Sequence, residues 1–190
     1  MSTLPADSAL LVIDLQLDYA AGGRVPLPGI DIAMDRAATL IEAFRRARRP
    51  VIHVRHAERD PAVDFLREGS EGAEIDPRVA PLPGEPVVVK HWPNAFRHAW
   101  LHAVLSEAGI RQLVICGAMS NVCVDSSVRA AADFGYRCIV VEDACAACDL
   151  EFRGERIPAR QVHGAFMAAL ASAYAEVATL QDLLEPDGRT

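Results

Sequence analysis

The sequence predicts an α/β fold, a three-layer α/β/α sandwich on a six-stranded, mostly parallel sheet, and two observations carry that prediction. Apolar runs of strand length recur along the chain, and each is followed by a longer stretch with helical periodicity, the pattern that βαβ units leave in sequence. The runs are continuous rather than alternating, as expected of strands buried on both faces. With 190 residues, 51% hydrophobic and 24% charged, the chain has the length and apolar content of one folded domain spanning 1–190 rather than of a disordered segment.

Strands are expected at 9–13, 51–54, 87–89, 113–116, 138–141 and, more weakly, 176–180. Helices are expected at 31–48, 98–108, 121–134 and 158–173, the last carrying an apolar stripe of Val162, Phe166, Met167, Leu170 and Tyr174. The basic run Arg45-Arg46-Ala47-Arg48-Arg49 closes the first helix, where cations complement the helix dipole. Segment 57–86, rich in Pro and Gly, is too long for an ordinary connection and reads as an active-site wall or lid. Its Val63, Phe65 and Leu66 are expected to be exposed and to offer an apolar face for self-association. Residues 185–190 read as a frayed tail.

A formal net charge of −7 opposes nonspecific nucleic-acid binding, which needs basic surface to neutralise phosphates. The first residues lack a basic stretch followed by an apolar one, and no apolar run reaches spanning length, so the expectation is a cytoplasmic protein with no membrane contact. Gly22-Gly23 lacks the lysine and spacing of a phosphate loop, so no nucleotide is implied. The expected partner is a small-molecule substrate. Five cysteines, at 116, 123, 138, 145 and 148, are an odd number and leave at least one free thiol.

In open parallel sheets, ligands bind beyond the carboxyl ends of the strands. Three chemically apt residues fall there. Asp14 ends the first run, Lys90 ends the third, and Cys123 follows the fourth after Gly117-Ala118-Met119-Ser120-Asn121-Val122. They supply a thiol, a carboxylate to take its proton and a cation to favour the thiolate, the set that cysteine nucleophilic catalysis requires. Placed in the first turn of a helix, Cys123 gains further from free N–H groups and the dipole and is expected to be the fastest-reacting of the five thiols. Cys116 and Cys138 sit inside strand runs and read as buried hydrophobes. Cys145-Ala146-Ala147-Cys148 follows the fifth strand with no second pair, which argues against zinc or redox function and leaves its role open.

The segments Leu11-Val12-Ile13-Asp14-Leu15-Gln16, Val88-Val89-Lys90 and Gly117-Ala118-Met119-Ser120-Asn121-Val122-Cys123-Val124, with Arg129-Ala130-Ala131 and Gly135-Tyr136, resemble the isochorismatase-like hydrolase superfamily. The resemblance covers nearly the whole chain and implies the strand order 3-2-1-4-5-6. It implies Cys123 as nucleophile, Asp14 as proton acceptor and donor, and Lys90 as the residue that orients Asp14 and stabilises charge. It also implies a cis peptide between Ala118 and Met119 that aims the amides of Met119 and Cys123 at an oxyanion, and assembly as a homo-oligomer. Ser120 stands where many relatives carry threonine.

The metal-binding branch of that family uses an Asp-x-His pair and a later histidine. This sequence has His53 and His56 without that spacing, so neither a metal nor any other cofactor is expected, and His53 reads as a core or wall residue. Tyr19, His56, Trp92, Phe96 and Ser120 lie near the motif residues and are expected to line the substrate pocket. Relatives that cleave the vinyl ether of isochorismate do not need the cysteine, so its presence implies C–N hydrolysis of a small amide, ureido or carbamoyl compound through a thioester. The alternatives are vinyl-ether hydrolysis and a noncatalytic redox-sensing thiol protein.

Overall fold

Apolar stretches buried end to end set the order of the sheet. In the computed structural model, which describes residues 4–185, β1 (Ser8–Ile13) and β4 (Gln112–Ala118) are buried at every position and pair in parallel at the centre. β2 (Val51–His56) and β3 (Val87–Lys90) extend the sheet on one side, while β5 (Arg137–Ala146) and β8 (Glu176–Ala178) extend it on the other. The resulting order is β3-β2-β1-β4-β5-β8, every pairing parallel. This is the expected order, the sixth expected strand being β8.

Helix α1 (Ile30–Arg46) packs one face of the sheet through Met34, Ala37, Leu40, Ile41 and Phe44. Helices α2 (Ala99–Glu107), α3 (Asp125–Asp133) and α4 (Ala159–Ala173) belong to crossovers that run in the opposite direction along the sheet, so right-handed connection puts them on the other face. Arg45, in the basic run that closes α1, pairs with Glu42 and Glu85. No helix among the described residues is long and apolar enough to cross a membrane.

Two elements depart from expectation. Leu180 is not strand: α5 (Leu180–Leu184) starts there, opened by a capping box in which the Thr179 side chain accepts from the Asp182 amide and Asp182 accepts from the Thr179 amide. A small antiparallel hairpin, β6 (Leu150–Phe152) and β7 (Glu155–Ile157), stands apart from the main sheet. The tail expected at 185–190 lies, beyond Glu185, outside the described residues.

Segment 57–86 is pinned rather than loose. Gln16, fully buried, donates from Nε2 to the carbonyls of His56 and Ala73 and accepts the His56 N–H on Oε1. Asp18 accepts the Leu66 N–H at 2.6 Å. Leu66 is therefore buried, and the Phe65 ring lies edge-on to Tyr19, 5.3 Å between centroids. This corrects the expectation that Phe65 and Leu66 form an exposed apolar face: Asp18 draws that stretch inward as a wall of the site.

Candidate active site

The carboxyl ends of β1, β3 and β4 bring the three expected groups together. At the end of β1 the chain enters a left-handed conformation at Asp14, φ 49°, while the Asp14 amide still donates to Val54. β4 comes so close to this point that a Cβ at Gly117, φ 135°, would lie 2.0 Å from the Ile13 carbonyl oxygen; only glycine lets the nucleophile turn approach Asp14. Beyond it the Ala118–Met119 peptide bond is cis. Ser120–Val124 then forms a π-helical turn that carries Cys123 into α3.

Lys90 sits at the focus of the cluster. Its Nζ lies 2.6 Å from Asp14 Oδ2, 3.2 Å from Cys123 Sγ and 3.2 Å from His56 Nδ1. An ammonium has three hydrogens, and here it meets three acceptors. Since it can only donate, His56 must accept at Nδ1 and carry its own proton on Nε2, which lies 3.6 Å from Glu58 Oε2. Parallel pairing of His56 with Lys90 and the Gln16 clamp on the His56 backbone put the ring there. Asp14 is wholly buried, Lys90 almost so, and Cys123 only 5% exposed.

Electrostatics define the resting charge state. Burial alone would lower Lys90, but Asp14 and Cys123 outweigh it and hold the ammonium above the ordinary lysine value. Burial, reinforced by Asp14, pushes the Cys123 thiol up, with Lys90 pulling the other way. Burial and Asp14 thus oppose ionisation of the Cys123 thiol while Lys90 favours it, and Cys148 is the more exposed thiol. Apart from the Lys90 ion pair, both oxygens of Asp14 lack a hydrogen-bond donor among the described residues. Spare lone pairs on a buried carboxylate beside a thiol suit it to take the thiol proton.

The remaining expected residues divide. Tyr19 is buried beside the centre; burial, with Cys123 and Asp14 close by, raises its phenol. Trp92 is 41% exposed, its ring covered by the Arg97 guanidinium at 4.1 Å. Two expectations are corrected. The Phe96 ring packs against Phe134 and Tyr136 at the starting end of β5, away from the thiol, because the 3-10 turn Ala95–Arg97 docks on α3. Ser120 is wholly buried and its hydroxyl is committed to His163, 2.8 Å away, so it does not face substrate.

Gln16, Asp18, Glu58, Glu142 and His163 were not anticipated as site residues. Gln16 alone carried a sequence signal, lying inside the first motif. His53 occupies the opposite face of β2 from His56; it is wholly buried and meets Glu85 at 3.2 Å, while Glu85 is held down to about 2 by its Arg45 partner despite burial.

As for a metal, Asp14, His56 and Cys123 offer donor atoms within 4.8 Å of one another. The Lys90 ammonium contacts all three, so a divalent ion there would have to displace a buried cation that already supplies the charge. The residues fit an ammonium and not a metal.

Burial lowers the pKa of both His53 and His56. The unfolded chain therefore binds protons that the native state refuses, and stability falls as pH drops below the ordinary histidine value of 6.5. Above that value the two contribute no slope. The expected loss is up to about 1.4 kcal/mol per pH unit for each histidine. Urea unfolding at pH 7.5 and 5.5 checks it; equal stabilities would show that the fold lowers neither histidine.

The isochorismatase domain model matches residues 8–182. The chain is 44% identical over 178 residues to the uncharacterized isochorismatase family protein YddQ of Bacillus subtilis (strain 168), covering 94% of this chain and 99% of that one. A crystal structure of an isochorismatase-family hydrolase from Oleispira antarctica superposes with a TM-score of 0.90 at 48% identity, covering 97% of this chain and 99% of that one. Ureidoacrylate amidohydrolase RutB of Variovorax paradoxus (strain S110) is 31% identical, over 73% of this chain and 68% of its own length. A domain match over almost the whole length, on a sheet of this order, places the chain in the isochorismatase family of hydrolases.

Proposed function

We propose that the protein hydrolyses the C–N bond of a small amide, ureido or carbamoyl compound through a thioester on Cys123. The observation that carries this reading is the contact of one buried ammonium, Lys90, with both the Asp14 carboxylate and the Cys123 thiol. Similarity to a ureidoacrylate amidohydrolase supports the bond type and leaves the substrate open.

In the proposed reaction Asp14 takes the thiol proton as Sγ attacks the carbonyl carbon, and the amides of Met119 and Cys123 hold the oxyanion. The C–N bond then breaks and Asp14 gives the proton to the departing amine. A water molecule, losing its proton to Asp14, attacks the thioester carbon, and the sulfur leaves to recover that proton. Lys90 stays charged throughout and offsets the negative charge that passes between sulfur and carboxylate. Tyr19 and His56 would form the inner wall of the substrate site and Trp92 its rim. A cytoplasmic setting suits five cysteines that are all free.

A panel of amides, ureides and carbamoyl compounds, read by mass spectrometry for released amine or ammonia, tests the reading. Turnover of at least one class is expected, and it is expected to persist after exhaustive chelation because Lys90 holds the cation position. Activity lost to chelator and restored by stoichiometric zinc would overturn the metal-free mechanism. No turnover anywhere in the panel, with reversible peroxide oxidation of Cys123, would favour the thiol sensor. Light scattering of the same preparation is expected to give a homo-oligomer, since Trp92 and Trp100 are 41% and 43% exposed; a monomer mass would remove that part of the reading.

A further inference from the structure

β5 does not run smoothly past the nucleophile strand. Ile115 pairs with Val140 and Gly117 with Cys145, so Cys116 on β4 lies opposite the stretch from Val141 to Ala144 on β5. Such an excursion re-aims side chains, and it does so here. Asp143 turns to Arg36 at 3.1 Å and accepts the Leu180 N–H at 2.8 Å. Glu142 turns to α4, where its Oε2 lies 3.1 Å from His163 Nε2. The other ring nitrogen, Nδ1, lies 2.8 Å from Ser120 Oγ.

Polarity along this chain is fixed by chemistry. A carboxylate only accepts, so with the ring neutral His163 donates from Nε2 to Glu142 and Nδ1 accepts the Ser120 hydroxyl proton. Ser120 is wholly buried and so is no second nucleophile. It does, however, follow Met119 directly and share one turn with Cys123, the two residues whose amides hold the oxyanion in the proposed reaction. The hydroxyl gives a side-chain hydrogen bond that ties this turn to α4 and, through Glu142, to the β5 excursion.

We propose that Glu142, His163 and Ser120 are positioning residues for the oxyanion-binding turn, a role that rests on the amide-hydrolase reading. Glu142 fixes the His163 tautomer, His163 holds the Ser120 hydroxyl, and Ser120 fixes the direction of the neighbouring amides. Small displacements of such donors carry large rate penalties. The three should act as a unit, because breaking any link frees the same turn.

The test compares Ser120→Ala, His163→Ala, Glu142→Gln, the double variant Ser120→Ala/His163→Ala and the conservative His163→Gln on the best amide from the panel. Two companion readouts are the affinity of Cys123 for a small aldehyde, whose adduct oxygen uses the oxyanion donors, and the rate of Cys123 alkylation by iodoacetamide, followed by peptide mapping, which uses none. The single alanine variants are expected to lose about tenfold in kcat and in aldehyde affinity. KM and the alkylation rate should stay within about twofold, and the double variant should lose no more than either single one. Glu142→Gln should lose less, and His163→Gln should recover part of the loss. Values of kcat and aldehyde affinity near wild type, additive losses, or a parallel fall in alkylation would overturn the relay. A wild-type protein that neither turns over an amide nor binds the aldehyde would instead sink the hydrolase reading, and the relay with it.

Discussion

Cys123→Ala and Cys123→Ser proteins are expected to fold normally and to lose at least about a thousandfold in turnover, the scale seen when a nucleophile is removed from a site that keeps its other parts. Serine keeps nearly the shape of cysteine, but its hydroxyl is a far weaker acid than a thiol and a correspondingly poorer proton donor to a carboxylate. The thiol is already raised by burial and by Asp14, with only Lys90 favouring its ionised form. A weaker acid in that position stays protonated. Stability should change little, since Cys123 contributes a small side chain whose polar contacts are with Lys90, at 3.2 Å, and Asp14. The comparison also separates the rival reactions: vinyl-ether hydrolysis has no need of the thiol, so near-normal activity in the alanine protein would hand the site to that chemistry.

How much of this was legible before the fold depended on the range of the interaction involved. β1 and β4 announce themselves because a strand buried on both faces must be apolar at nearly every position, and Asp14, Lys90 and Cys123 are legible as the polar residues that end or follow such runs. The hairpin at 150–157 gave a weaker signal: Leu150-Glu151-Phe152-Arg153 alternates and Gly154 can turn, but each strand is three residues long and exposed or half-buried, so no apolar run marks it. The helix at Leu180 had one, the Thr179 to Asp182 capping pair, which a strand reading of an apolar run ignored. Glu142 and His163 were beyond reach, because their contact with Ser120 depends on an excursion in β5 that no local pattern encodes. Leu66 reads as exposed in a Pro- and Gly-rich segment, but the distant Asp18 carboxylate, 48 residues earlier, and the Glu58 amide, which donates to the Leu66 carbonyl, hold it inward. Phe96 lies close in sequence to Lys90, yet the turn at Ala95–Arg97 sends its ring against Phe134 and Tyr136, where α3 ends and β5 begins.

Lys90→Met is expected to abolish turnover and, unlike the Cys123 substitutions, to damage the fold as well. Methionine fills much of the same volume without charge, so the change isolates the ammonium. Its loss leaves Asp14 in a wholly buried position with no counter-charge 2.6 Å away, and it removes the donor from Cys123 and His56. Removing one partner of a buried ion pair costs about 3–5 kcal/mol when the other charge stays unpaired. The alternative open to Asp14 is to bind a proton, which spares the fold but leaves no base to receive the thiol proton. Either outcome ends catalysis; they differ in stability. The double variant Asp14→Asn/Lys90→Met removes the stranded charge and is expected to regain most of the lost stability in urea unfolding while remaining inactive. That divergence is the signature of a pair kept for chemistry at the expense of stability. A Lys90→Met protein as stable as wild type and still turning over substrate would show that the ammonium neither neutralises Asp14 nor supports the thiol, and the proposed mechanism would fail at its centre.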